Sequence, residues 1–84
     1  MPRDISEKVV KRINEIYDYM NAVMCVTESE VSERFNLTSM ESYYTLNLMV
    51  DMMLIEKYKV GTHNVIYCTK GVTLTEVYDK WLRY

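Results

Sequence analysis

Val31 to Leu54 reads VSERFNLTSMESYYTLNLMVDMML, and two helices joined by a tight turn can be read from it. Val31 and Phe35 lie one turn apart, Asn36-Leu37-Thr38 is turn material, and Leu46, Met49 and Met53 recur at helical spacing in the segment that follows. Each helix opens on the same local device, Thr27 with Glu30 and Thr38 with Glu41. In this arrangement the Thr hydroxyl accepts from the backbone N–H three residues on, and the Glu carboxylate accepts from the backbone N–H of the Thr. These signals predict helices over 28–35 and 39–53.

Working outward, Asp4 with Glu7 opens a helix of about 4–21 that places Ile5, Val9, Ile13, Ile16 and Met20 along one side, widened by Val10 and Tyr17. A short extended piece, 23–26, connects it to the next helix. After Leu54 the period becomes alternating: Ile55, Lys57 and Lys59 interleave with Glu56, Tyr58 and Val60. A second run over 65–69, VIYCT, is dense in β-formers, and Gly61-Thr62-His63-Asn64 between the two is a turn. This is a hairpin. Thr73 with Glu76 opens a last helix over 73–84, whose apolar stripe is Leu74, Val77, Tyr78, Trp81 and Leu82.

At 84 residues the chain is expected to be one domain over 1–84, burying roughly 60% of the surface its unfolded form exposes. An apolar share of 49% with eight Tyr argues against disorder, and two Gly with one Pro leave little room for long loops. No run is long and apolar enough for a membrane span, and no leader pattern precedes the first helix, so a cytoplasmic protein without membrane contact is expected. The net charge of −2 is unevenly spread. Charges cancel up to Met24; from Cys25 to Met53 five acids face Arg34 alone; from Leu54 on, five bases face three acids. An acidic middle is followed by a mildly basic end.

Enzymatic chemistry finds little support. General acid/base or nucleophilic catalysis needs a base within reach of a nucleophile, and the single His, His63, falls in the hairpin tip without an expected partner. No Gly-rich phosphate loop is present. Cys25 and Cys68 have neither the spacing nor the companion His of a zinc site. No cofactor and no metal are expected.

The order helix, short strand, helix, turn, helix, hairpin, helix resembles the winged helix-turn-helix family, a mainly α fold with a small antiparallel β wing. In that family an apolar residue of the second helix is followed by apolar positions at fixed offsets, and here Val31 is followed by Phe35, Leu37, Leu46, Met49 and Leu54. Tyr67-Cys68-Thr69-Lys70-Gly71 resembles the Leu-Thr-x-Lys-Gly ending of the wing in MarR-like and PadR-like transcription regulators, whose next helix often dimerises. Two departures are Ser42, where an aliphatic core residue is usual, and Met53, where Gly is frequent. The resemblance implies that the short strand pairs with the last wing strand, making Cys25 and Cys68 neighbours, either as two buried thiols or as a disulfide. The absence of Gln and the Tyr-rich, Gly-poor composition point toward an archaeal or viral source.

In this family the third helix enters the DNA major groove. Ser42, Leu46, Met49 and Met53 share its core side, and the opposite side carries Met40, Glu41, Tyr44, Thr45, Asn47, Leu48, Asp51 and Met52. No Lys or Arg lies there, which weighs against duplex binding. Two readings follow. In the first, the chain is a dimeric DNA-binding transcription regulator: Asn47 reads adenine, Tyr44 meets a phosphate, Met40 meets a thymine methyl, and Lys57, Lys59, His63 and Lys70 supply wing contacts. In the second, it is a protein-interaction module, such as a small accessory subunit of a nucleic-acid machine. Its third helix then docks a partner through the stripe Met40, Tyr44, Leu48 and Met52. Either way, Leu74, Tyr78 and Trp81 of the last helix are expected to pair two copies.

Overall fold

The computed structural model describes residues 6–61 and 64–71. They form α1 (Glu7–Val23), β1 (Cys25–Thr27), α2 (Glu28–Phe35), α3 (Ser39–Asp51), β2 (Ile55–Val60) and β3 (Asn64–Thr69). The architecture is three helices on a small antiparallel sheet of order β1-β3-β2. The last helix expected over 73–84, with Leu74, Tyr78 and Trp81, lies outside the described residues, as do Asp4 and His63.

Helix starts follow local hydrogen bonding. Of the four expected helix-start pairs, the two that lie wholly within the described residues are formed as capping boxes: Glu30 N–H donates to Thr27 Oγ1 (3.2 Å) while Thr27 N–H donates to Glu30 Oε1 (3.0 Å). The Thr38–Glu41 pair repeats this at 3.1 and 2.9 Å. Thr27 is at once the last residue of β1 and the N-cap of α2, so strand passes to helix without a loop. α1 starts at Glu7 behind Ser6, later than the start at residue 4 read from the sequence, because Ser6 Oγ accepts from Val9 N–H and serves as the cap.

A residue with positive φ follows each helix: the C-caps Met24 (75°) and Asn36 (55°) for α1 and α2, and Met53 (64°), one residue past the C-cap Met52, for α3. Asn adopts positive φ readily, whereas Met does so at an energetic cost. At the end of α3, Met53 N–H donates to the Val50 carbonyl and Leu54 N–H to the Met49 carbonyl, at 2.9 and 3.0 Å. This double closure is why Gly is favoured at such a position. It also corrects the sequence reading of Met53 as core: α3 stops at Asp51, and Met53 is 71% exposed.

The main core joins Ile13, Ile16 and Met20 of α1 to Val26, Val31, Leu46, Leu48, Met49, Ile55 and Tyr67. Leu48 is only 7% exposed and Thr45 is fully buried, so neither belongs to an outer stripe. The reason is that α3 meets two helices as well as the sheet. On one side Ser42 Oγ lies 2.7 Å from Ser32 Oγ of α2. On another, Thr45 Oγ1 receives Arg12 Nη1 of α1 (3.4 Å) while donating to the Glu41 carbonyl (2.7 Å). The buried arc is therefore wider than a single helical stripe. Ser42 replaces an apolar side chain without leaving a polar atom unsatisfied.

Cys25 and Cys68 are register partners in the β1–β3 ladder and form a disulfide, with Cα atoms 4.1 Å apart. Thr69 N–H donates to the Met24 carbonyl just outside this pair, which makes it a non-hydrogen-bonded site where antiparallel backbones come closest. Both cysteines are buried, in a smaller cluster with Val60 and Ile66.

Candidate functional site

The exposed face of α3 carries Met40, Tyr43, Tyr44 and Asp51, with Asn47 half-buried among them. Their spacing of three and four residues defines one helix face. Met40 is 77% exposed, Tyr43 51% and Tyr44 43%; Met52, the C-cap, is 41% exposed at the far end. The stripe read from the sequence is thus interrupted by burial of Leu48 and gains Tyr43 instead.

The hairpin stands beside this face. Val60 pairs with Asn64, so the turn has three residues, opened by Gly61 at φ 74°, and Lys57 falls opposite Tyr67. Tyr67 is 2% exposed, its ring within the core and its hydroxyl at the edge of α3. Lys57 and Lys59, two residues apart on β2, point to the same side of the sheet, and both are exposed. Lys70 follows β3 at the opposite end of the hairpin from its tip. There it lines a shallow groove with Val50, Met53, Ile55, Glu56, Lys57 and Tyr58.

Asn47 ties helix to hairpin. Its Nδ2 donates to the Tyr43 carbonyl (2.8 Å) and to the Tyr67 hydroxyl (3.1 Å), and its Oδ1 accepts from Lys57 Nζ (3.1 Å). Lys57 Nζ lies 5.9 Å from the ring centroids of both Tyr43 and Tyr67. Tyr43, Lys57 and Tyr67 border a cleft of about 540 Å³ completed by Thr27, Glu28 and Ser29 at the start of α2 and by Val60, Asn64, Val65 and Ile66 of the hairpin. Burial raises the pKa of the Tyr67 phenol above its ordinary value, against the opposing effect of the Asn47 hydrogen bond. Tyr43 and Tyr67 were not singled out from sequence. Tyr43 shares the helical face of Met40 and Asn47 and could have been; Tyr67 required the true turn length.

The acids of α3 divide. Glu41 gives one carboxylate oxygen to its own cap and the other to Arg12 Nη2 at 3.5 Å. The Thr38 backbone N–H lowers its pKa most; burial opposes, and the Thr38 hydroxyl, Arg12 and Lys8 lower it further. The neutralising partner is Arg12; Arg34, the one base of the acidic middle segment, has its guanidinium 4.3 Å over the Tyr19 ring. Asp51 is exposed at the last turn of α3. Among the described residues no three His, Cys, Asp or Glu side chains gather as a metal site, and no helix is long and apolar enough to cross a membrane.

No protein-family model and no curated protein matches the chain. Among solved structures it is similar to a hypothetical protein of Pyrobaculum spherical virus, with a TM-score of 0.78 at 18% identity. The match covers 94% of this chain and 50% of the viral one, so the chain spans about half the length of that neighbour. At this identity the likeness concerns the fold, and it places the same arrangement in a virus.

Proposed function

We propose that the chain is a winged helix-turn-helix module that binds duplex DNA, acting as a small dimeric transcription regulator. In this reading α2 and α3 are the helix-turn-helix, β2 and β3 are the wing, and the residues of 73–84 form the dimer contact. One observation carries the reading: the hairpin sets the ammonium of Lys57 beside the open face of α3, with Lys59 on the same side of the sheet, while Glu41 is engaged by its own cap and by Arg12. The unfavourable charge read from the α3 sequence is thereby halved at its N-terminal end, and cations are supplied from the neighbouring element. Such cations give affinity by releasing counterions from phosphates, independently of base sequence.

The test is binding to generic duplex DNA as a function of salt. Replacing Lys57 and Lys59 by Ala should weaken binding to all sequences and flatten the slope of log K against log salt by about 2, near 0.9 for each lost phosphate contact. A slope near zero for the parent protein refutes the reading.

A second reading, a protein-interaction module, is favoured by the same face, since α3 contains no Lys or Arg and exposes Met40, Tyr43, Tyr44 and Met52. Its anchor is Tyr44, because aromatic side chains dominate interface energetics. In that case Tyr44→Ala abolishes assembly with the partner while the two Lys replacements leave it unchanged.

A further inference from the structure

We infer that Lys57 is a preorganised phosphate anchor and that Asn47, rather than reading a base, is the positioning residue that holds it. The inference rests on the nucleic-acid reading above. Every polar position on the Asn47 side chain that the helix and hairpin can reach is occupied: two donor bonds to the Tyr43 carbonyl and the Tyr67 hydroxyl, one acceptor bond from Lys57. Recognition of adenine needs both the oxygen and the nitrogen of an Asn amide at once. Here both are committed, and releasing them would strand the Tyr67 hydroxyl at the edge of the core.

Lys57 shows the complementary pattern. A lysine ammonium has three N–H donors on a flexible stem. One donor is fixed on Asn47, which removes part of the freedom that an exposed lysine loses on binding. The rings of Tyr43 and Tyr67 flank the ammonium at equal distances. Among the described residues no carboxylate lies within 4.0 Å of it, the ion pair found there being that of Arg12 with Glu41. Two N–H groups are thus left for an external oxyanion. Glu28 lines the same cleft from the α2 side, so its carboxylate disfavours an anion there and leaves the Lys57 side as the place for a phosphate.

The two roles predict opposite patterns. Asn47→Ala, Lys57→Ala and the double variant are measured on a panel of unrelated short duplexes across salt concentrations. A positioning residue gives an equal loss on every duplex, a salt slope lowered by about 1, and a double variant no weaker than Lys57→Ala within twofold. A base reader gives a loss confined to duplexes with a particular base pair, and additive effects; either result overturns the inference. Asn47→Asp is the second variant: it keeps the side-chain size and sets a carboxylate against Lys57 but gives up the donor bonds to Tyr43 and Tyr67, so it should lose binding and salt slope at least as far as Asn47→Ala, read at a temperature where the melting curves show both variants folded; an Asn47→Asp protein that is folded and binds like the parent overturns the inference.

An independent measurement separates failure of the inference from failure of the DNA reading. Inorganic phosphate is titrated into the parent protein and followed by NMR at Lys57 Nζ and Asn47 Nδ2. Saturable shifts at both, abolished at Lys57 by Asn47→Ala, support the anchor. Their absence, or a Lys57 shift indifferent to Asn47→Ala, overturns it, whether or not duplex DNA is bound. A parent protein that ignores duplex DNA yet shows the phosphate shifts would lose the DNA reading and keep the anchor.

Discussion

Breaking the Cys25–Cys68 bond should cost this domain a large part of its stability. The bond joins residues with a sequence separation of 43. In the chain-entropy treatment the unfolded state then loses 2.1 + 1.5R ln n cal/mol/K, about 13 cal/mol/K for this loop, or about 4 kcal/mol at 25 °C. A domain of this size shifts its melting temperature by roughly 4 to 8 °C per kcal/mol, so the expected loss is about 15 to 30 °C. Both cysteines are nearly inaccessible, at 3% and 0% exposure. Reductant must therefore be applied in denaturant and the protein refolded before a calorimetric scan. Cys25→Ala/Cys68→Ala provides the control, melting near the reduced protein and showing no further response to reductant. A reduced protein that melts within about 3 °C of the oxidised one would refute the reasoning, which assigns the stabilisation to restriction of the unfolded chain.

Two further outcomes follow from backbone and charge. Met53→Gly should stabilise by about 0.5 to 1 kcal/mol, since it relieves a left-handed Met whose side chain is mostly exposed; denaturant midpoints check this, and a destabilised variant would show that the Met53 side chain packs. Glu41 has a lowered pKa in the folded state, chiefly through the Thr38 N–H. Its contribution is complete above the unfolded carboxylate value and disappears as pH falls through the lower folded value. Glu41→Gln should therefore remove part of the acid sensitivity in that window, measured as urea midpoint against pH, and parallel curves for the two proteins would contradict the assignment.

What could be read from residue order was mostly local. Thr27 with Glu30 and Thr38 with Glu41 are bonded within one helical turn, so no knowledge of the rest of the molecule is needed to place those starts. The bounds of α2 followed for the same reason, and the hairpin from the alternation over 55–60 and the β-formers over 65–69 on either side of a turn. Leu48 and Thr45 were misplaced because a helical wheel says which residues share a side but not how many neighbours the helix has. The candidate site was legible only in pieces. Asn47 and Lys57 could be named, yet their meeting depends on Val60 pairing with Asn64; a turn one residue longer would put Lys57 opposite Cys68 and on another neighbour. Ser42 looked like a flaw in the core until Ser32 supplied its partner across the α2–α3 contact.

The sulfur bridge also changes how the chain carries mechanical load. Residues 25 to 68 form a closed covalent ring that contains α2, α3 and β2, while α1 hangs outside it. Tension applied to the two ends passes through the bridge and leaves the ring slack. About 150 Å of contour, a sequence separation of 43 at roughly 3.5 Å per step, stays hidden from the pulling force. A single cut within the ring likewise leaves one molecule of unchanged connectivity outside it. The elements that build the cleft are therefore shielded from stretching and fragmentation of the chain, whereas α1 bears the full force.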